Sequence, residues 1–215
     1  GGIPVIRIWG LIVRIGVVGT GSIGRRHMKN ILSLGYRDIV AVSENRVLWY
    51  QNPTWQPRVI IQDETPPDNV CIAALDIDRD GNVDFALGAG WTKIGTIHWL
   101  HRGASLDDPW QIRSVGEEQW LHRMRWADVL GTGRPQLVIS PLNATVGDGV
   151  RLTAFEIPED PFTDRWLPTV LNGELNQMHN HWHVDFDGNG PVNMLTTASP
   201  TYIRLDVQIT GRSAH

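Results

Sequence analysis

The sequence predicts a mainly β fold, in which tandem units of short antiparallel strands follow an N-terminal β-α-β segment. Three observations lead to this prediction. An acidic turn recurs between apolar segments, a tryptophan segment recurs in the same frame, and residues 12–44 follow a different pattern from the rest of the chain. The 215 residues suffice for one domain, and a composition of 41% hydrophobic and 20% charged residues is typical of globular proteins.

The most distinctive segment is the acidic turn at residues 76–84. Carboxylates occupy its positions 1, 3, 5 and 9, and a glycine occupies position 6. This spacing gathers oxygen atoms around a hard cation such as Ca²⁺, whereas position 12 is Leu87 and not the glutamate of an EF-hand. The alternative is a solvated acidic turn without an ion. The predicted ligands are Asp76, Asp78, Asp80, Asn82 through its backbone carbonyl, and Asp84.

The frame of this turn returns twice along the chain, at a spacing of about 50 to 57 residues. That period is in the range of propeller repeats, so we predict a partial β-propeller of about three four-stranded antiparallel blades over residues 46–215. Because propellers close with four to eight blades, we expect further blades or a self-associating partner. The markers are the aligned acids Asp76, Asp128 and Asp185 and the aligned tryptophans Trp55, Trp110 and Trp166.

The two later copies of the turn differ in the oxygen atoms they offer. The third copy keeps oxygen side chains at positions 1, 3, 5 and 9 with half the charge, which predicts a weaker cation site at Asp185, Asp187, Asn189 and Asn193. In the second copy the acids are replaced by Leu130, Thr132 and Gln136, and we predict no ion there.

The N-terminal segment reads as strand, glycine loop, helix, strand and acid. An apolar strand at 12–18 precedes the glycine loop, a helix is predicted at 25–34, and a second strand at 38–43. We interpret residues 1–45 as a partial dinucleotide-binding domain, with Gly19, Gly21, Gly24 and Glu44 as NAD(P)-binding residues. The run RIGVVGTGSIGRRHMKNI resembles the start of the glucose-fructose-oxidoreductase-type family, whose catalytic Glu-Lys-Pro segment has no counterpart here.

The histidines provide the sharper functional hypothesis. His122 and His179 stand six residues before their aligned acids, so the repeat brings them to equivalent places on neighbouring inner strands. His179, His181 and His183 alternate along one strand and share a face. We predict His122, His179 and His181 as catalytic residues, either as ligands of a transition metal such as Zn²⁺ or as acid and base. The alternative is a polar channel without chemistry.

Other polar and aromatic residues surround these histidines or recur elsewhere. We expect the two tryptophans beside the cluster to pack in the core, while His98 and His101 are interpreted as surface residues. The neighbours that suit a carbohydrate are Arg123, Arg125, Trp126, Asn180 and Trp182.

Residues 46–210 resemble the FG-GAP/VCBS-type propeller repeats through their acidic turns. Within that group, the segments Trp-Tyr-x-Asn-Pro-x-Trp, His-Arg-x-x-Trp-Ala-Asp and His-Asn-x-x-x-Val-Asp-x-Asp-Gly are similar to the aldos-2-ulose dehydratase family of metal-containing, sugar-converting lyases. The resemblance implies a lyase or dehydratase that acts on a sugar or keto-sugar. The alternatives are a non-catalytic calcium-binding propeller and a fragment of an NAD(P)-dependent oxidoreductase.

Several partner classes are not expected. The net charge is −4 and no basic run is present, which argues against nucleic acid. The apolar opening GGIPVIRIWGLIV contains an arginine and lacks both a basic start and a cleavage site, so we expect neither a signal peptide nor a membrane span, but a soluble chain. The lone Cys71 leaves the compartment open, and a carbohydrate or other small molecule is the expected ligand.

Overall fold

The computed structural model shows an all-β chain and describes residues 6–8, 11–13, 15–19, 38–91, 94–143, 150–175, 177–185, 193–197 and 205–208. These residues form strands, turns and loops. None of them belongs to a helix, so this part of the chain contains no apolar helix of membrane-spanning length. The first two strands, β1 (Ile6–Ile8) and β2 (Leu11–Val13), form an antiparallel pair.

Four larger sheets follow, and we number them in chain order. The first sheet has the strand order β3-β4-β5-β6, in which β3 and β4 are parallel and the other neighbours are antiparallel. Its strands are β3 (Ile15–Gly19), β4 (Asp38–Val42), β5 (Arg46–Gln51) and β6 (Pro57–Gln62).

The second and third sheets are four-stranded antiparallel meanders, in which consecutive strands are hydrogen-bonded neighbours. The second sheet contains β7 (Cys71–Leu75), β8 (Asp84–Ala89), β9 (Thr96–His101) and β10 (Gln111–Glu117). The third sheet contains β11 (Leu121–Ala127), β12 (Gln136–Pro141), β13 (Val150–Glu156) and β14 (Leu167–Leu175). The fourth sheet contains β15 (Asn180–Val184), β16 (Asn193–Thr197) and β17 (Leu205–Gln208), also antiparallel.

The sheets pack face to face because their inner strands bury both faces. Successive side chains of a strand point to opposite sides of its sheet. In β7, Ile72 joins the core shared with the first sheet, whereas Cys71 and Ala73 join the core shared with the third. In β12, Val138 likewise faces away from Leu137 and packs beside Met178, which precedes the fourth sheet.

The contact between the second and third sheets depends on a glycine. Gly88 in β8 lies so close to β11 that an added Cβ would stand 2.1 Å from Leu121 Cδ2 and 2.8 Å from Cys71 Sγ. The absence of a side chain at Gly88 therefore lets Leu121, which is fully buried, enter the core between the two sheets.

The predicted N-terminal βαβ segment is wrong. β4 is parallel to β3, but its other edge pairs antiparallel with β5, so both strands belong to a mixed sheet that continues into β6. A dinucleotide-binding sheet would continue with parallel strands. No helix occurs among the described residues, and the predicted helix at 25–34 lies outside them. The division into domains 1–45 and 46–215 stays a prediction, although β4 and β5 pair across residue 45.

The predicted partial β-propeller also needs correction. The described strands form meandering sheets at the expected period, but these sheets do not close into a propeller. The reason for the difference is physical: a repeat period locates units along the chain, whereas the angle between packed sheets depends on the side chains at each interface. For the described residues, the supported description is an all-β arrangement of packed, mostly antiparallel sheets.

The close approach at Gly88 leads to a stability prediction. Replacing Gly88 with alanine should lower the free energy of unfolding by about 1–3 kcal/mol, because the added methyl group overpacks the contact with Leu121. The measurement is equilibrium denaturation in urea. Gly173→Ala in β14 is the matched control, since an added Cβ there meets nothing within 4 Å, and its effect should stay within about 0.5 kcal/mol. Equal midpoints for the two variants would contradict the packing role of Gly88.

Candidate functional site

The acidic turn at 76–84 connects β7 with β8, and Asp84 anchors it. The Asp84 side chain is buried, its Oδ1 accepts the N–H of Arg102 at 2.8 Å, and its Oδ2 accepts the N–H of Ile77 at 3.4 Å. Burial raises the pKa of Asp84 to about 7, and the Arg102 N–H opposes that rise. Asp84 thus ties the start of the turn to the end of β9, while its predicted role as an ion ligand stays a prediction.

Short hydrogen-bonded loops curl the other carboxylates inward. Asp76 Oδ2 accepts the N–H of Gly81 at 3.0 Å, and Asp80 Oδ1 accepts the N–H of Asn82 at 2.7 Å. Asp76 Oδ1 is buried and has no hydrogen-bond partner. Burial raises the pKa of Asp76. The hydrogen bond from the Gly81 N–H lowers this pKa, and the nearby charges of Asp80 and Asp78 raise it further. An unpartnered carboxylate oxygen among like charges is a position that a cation would stabilise.

A histidine that the sequence did not assign to the acidic turn lies beside it. His101 at the end of β9 places Nε2 3.0 Å from Asp78 Oδ2, and Asp78, Asp80 and His101 offer ligand atoms that all lie within 4.8 Å of one another. His101 is half-buried, with its ring against Trp99 and Phe162, and His98 is half-buried as well, so the interpretation of both as surface residues is wrong. The two residues are 23 positions apart in the sequence, and no local sequence pattern predicts their contact.

The second copy of the turn satisfies its acid with hydrogen bonds. Asp128 accepts the N–H groups of Thr132 at 2.9 Å and of Gly133 at 2.8 Å. The Gln136 amide fills the turn, donating to Thr132 and accepting from the N–H groups of Val129 and Leu130. Burial would raise the pKa of Asp128, but these donors lower it further than burial raises it. Protein donors thus satisfy the Asp128 carboxylate, and the absence of an ion at this turn stays a prediction.

The third copy is described only in part. Asp185 is exposed at the end of β15, and Asn193 begins β16. Asp187 and Asn189 lie outside the described residues. The weaker cation site at these four residues stays a prediction.

The three predicted catalytic histidines lie in two ring pairs, the second of which is completed by His183. His122 lies at a register shift between Leu121 and Arg123 in β11, and its ring centroid is 4.9 Å from that of His179, just before β15. The rings of His181 and His183, on one face of β15, are 5.0 Å apart, and His181 is completely buried. The structure thus brings His122 and His179 together as the repeat register requires, while their catalytic role stays a prediction.

Burial favours the neutral form of these imidazoles, and three of them have ring nitrogens without partners. Both ring nitrogens of His122, His181 and His183 are buried with no hydrogen-bond partner. Burial lowers the pKa of His122 to about 4 and that of His183 to about 4, and it lowers the pKa of His181 well below its usual value. Burial also lowers the pKa of His179. Unpartnered lone pairs on neutral imidazoles are suited to bind a metal ion or accept a proton.

Two arginines of β11 adjoin the histidines. Arg125 donates from Nε to the carbonyl oxygen of His181 at 2.7 Å and from Nη2 to Asn180 Oδ1 at 3.4 Å. Arg123 donates from Nη1 to the carbonyl oxygen of His122 at 3.2 Å. Burial is the largest cause of the lowered pKa values of His122, His181 and His183, and the positive charges of the arginines lower these pKa values further.

The two tryptophans beside the cluster differ in their surroundings. Trp126 packs against the core between the second and third sheets, with its ring 6.2 Å from that of Trp166, as expected. Trp182 is instead 37% exposed, and Arg125 Cζ lies 5.4 Å from its ring centroid. The expectation of core packing is therefore wrong for Trp182, because residues of β15 alternate between a buried and an exposed face.

The residues predicted for a nucleotide do not assemble into a described site. Gly19 ends β3, Glu44 is exposed between β4 and β5, and Gly21 and Gly24 lie outside the described residues. Since the βαβ prediction is overturned, its glycine loop carries no NAD(P) proposal.

The low histidine pKa values predict how stability depends on pH. Between about pH 6.5 and pH 4 the unfolded chain binds protons at His122 and His183 while the folded chain does not. The free energy of unfolding should therefore fall as the pH is lowered through this range. Urea titrations in the presence of a chelator would measure it. His183→Gln should flatten the dependence, and a slope unchanged by this variant would contradict the assignment.

Comparison with known proteins finds similarity to a curated dehydratase. No family model matches the chain. The chain is 25% identical over 140 residues to the aldos-2-ulose dehydratase of Phanerodontia chrysosporium. The match covers 60% of this chain and 15% of that protein, so the chain corresponds to a small part of its relative's length.

Proposed function

We propose that this chain is part of a carbohydrate-active lyase or dehydratase that acts on a sugar or keto-sugar at the histidine cluster. The observation that carries the proposal is the set of neutral imidazoles whose buried ring nitrogens have no protein partner. Similarity to a protein named a dehydratase supports the reaction class and the substrate class. Burying a nitrogen atom without a hydrogen-bond partner raises the free energy of the folded state unless a ligand binds to that atom.

The paired rings suit an elimination of water. In a keto-sugar, one ring of the His122–His179 pair accepts the proton on the carbon beside the carbonyl group, and the electron pair of that C–H bond forms a C=C bond. The C–O bond to the neighbouring hydroxyl breaks, and the other, neutral ring takes up this proton at one nitrogen and releases the proton of its second nitrogen to the leaving hydroxyl, which departs as water. The separation of 4.9 Å between the ring centroids allows both to face one carbon–carbon bond.

The histidines do not assemble three metal ligands. Among the described residues, the group of three side chains whose ligand atoms lie within 4.8 Å of one another is Asp78, Asp80 and His101, so Zn²⁺ held by one of the histidine pairs would need further ligands from elsewhere. His181 is completely buried, which suits a residue that holds a group in place more than one that meets a mobile substrate.

A second candidate function is a non-catalytic, calcium-stabilised binding module. The acidic turn favours it, because the buried Asp76 Oδ1 lacks a partner within a segment of closely spaced carboxylates. A cation there would join the end of β7 to the start of β8 and stabilise the sheet without taking part in a reaction.

The catalytic proposal predicts the effect of removing either ring of the pair. His122→Ala and His179→Ala should each lower the dehydration rate of a keto-sugar by about 10²- to 10⁴-fold, because each removes one partner of the proton transfer. The rate is followed by the ultraviolet absorbance of the unsaturated carbonyl product, with and without a chelator.

The control for this assay is His98→Gln. His98 is half-buried in β9, and its Nε2 lies 2.9 Å from Thr96 Oγ1. This variant should keep the wild-type rate. Activity that survives both alanine substitutions would remove the mechanism, and wild-type protein inactive on keto-sugars with its metals retained would favour the binding module.

The acidic turn predicts a dependence of stability on calcium. Adding Ca²⁺ to chelator-treated protein should raise the melting temperature, and Asp78→Asn should abolish that shift, because it removes a charged ligand from the turn. Asp68→Asn, an exposed change outside the turn, should leave the shift intact. Differential scanning calorimetry measures all three proteins.

A parallel titration with Zn²⁺ tests the part played by His101. If the melting temperature rises with Zn²⁺ but not with Ca²⁺, and His101→Ala removes this rise, calcium is contradicted as the natural ion, because imidazole nitrogen is a ligand typical of transition metals. An unchanged melting temperature with either metal would identify the turn as a solvated acidic loop and would contradict the calcium proposal.

A further inference from the structure

Two arginines on one face of β11 bring positive charge to the histidine cluster. Arg123 and Arg125 are two residues apart in a strand and therefore share a face. Met124, between them, lies in the core between the second and third sheets, so the arginines face away from that core. Both are half-buried, which keeps their charges partly out of water.

The contacts of these arginines orient them without neutralising them. Arg125 is held by the carbonyl oxygen of His181 and the amide oxygen of Asn180, and Arg123 by the carbonyl oxygen of His122. All three acceptors are uncharged. A guanidinium group has five N–H donors, so these contacts leave three donors on Arg125 and four on Arg123 for a ligand.

Acidic partners are found elsewhere in the described part of the chain. Its arginine ion pairs join Arg58 to Asp107, Arg134 to Glu159 and Arg151 to Glu118. Among the same described residues, no carboxylate is paired with Arg123 or Arg125. Two like charges held on one face of a strand repel each other, and a bound anion would remove that repulsion.

Resting on the proposed function, we propose that the histidine site takes a carbohydrate that carries an anionic group, a carboxylate or a phosphate ester, bound by Arg123 and Arg125. Planar guanidinium groups match both kinds of oxyanion through paired N–H donors. The exposed ring of Trp182, which lies against Arg125, offers an apolar surface for the sugar ring beside this anion site.

Binding of three probes to the full chain tests the inference by isothermal titration calorimetry. Glucuronate and glucose 6-phosphate should each bind at least about tenfold more tightly than glucose, and added salt should reduce the difference. Arg123→Gln and Arg125→Gln should each remove most of the preference. Arg134→Gln, which breaks an exposed ion pair with Glu159, should leave all three affinities unchanged.

The variants are compared only where circular dichroism shows a native fold. If Arg125→Gln does not fold, Arg123→Gln and the charge-conserving Arg125→Lys continue the test, and Arg125→Lys should weaken binding of the acids less than Arg123→Gln does.

The possible results separate this inference from the function it rests on. Equal affinity for glucose and for both acids would overturn the inference and leave the carbohydrate function standing. Binding of inorganic phosphate without binding of any sugar would overturn both. A preference for the acids that survives both glutamine substitutions would place the anion elsewhere and also overturn the inference.

Discussion

Ile72 packs against the first sheet while its neighbours Cys71 and Ala73 pack against the third, and this burial of both faces of one strand holds the successive sheets together. The alternation of side chains in a strand makes it possible, because one strand then supplies two cores. Gly88 makes the closest contact between the second and third sheets possible, because a side chain at this position would occupy the space of Leu121. The second sheet is thereby held by the sheets on both of its faces.

The candidate sites follow from this stacking, because they lie where strands end or deviate. The acidic turn is the connection between β7 and β8, and β9 ends beside it, which brings His101 to Asp78. The histidine cluster forms where the irregularity in β11 meets the start of β15. In both places the packed sheets fix the backbone, so polar side chains are held in positions that solvent alone would not favour.

The electrostatic character of the two sites is opposite. Around the acidic turn, like-charged carboxylates and one unpartnered oxygen create an environment that attracts a cation. Around the histidines, burial keeps the imidazoles uncharged, and Arg125 places a positive charge beside them. A single chain of packed sheets therefore presents one site with excess negative charge and one with neutral nitrogen donors beside positive charge.

Residue spacing within single segments was enough to predict the curl of the turn at 76–84, the alternation of His181 and His183, and the recurrence that pairs His122 with His179. It misjudged β4, because a local pattern of strand and glycine loop does not reveal that β5 occupies the other edge antiparallel. The contacts of His101 with Asp78 and of Arg125 with His181 span 23 and 56 residues, and they became visible only in the folded chain. Periodicity in the sequence sets the face of a strand on which a side chain lies, whereas its partner on that face depends on how distant strands pack.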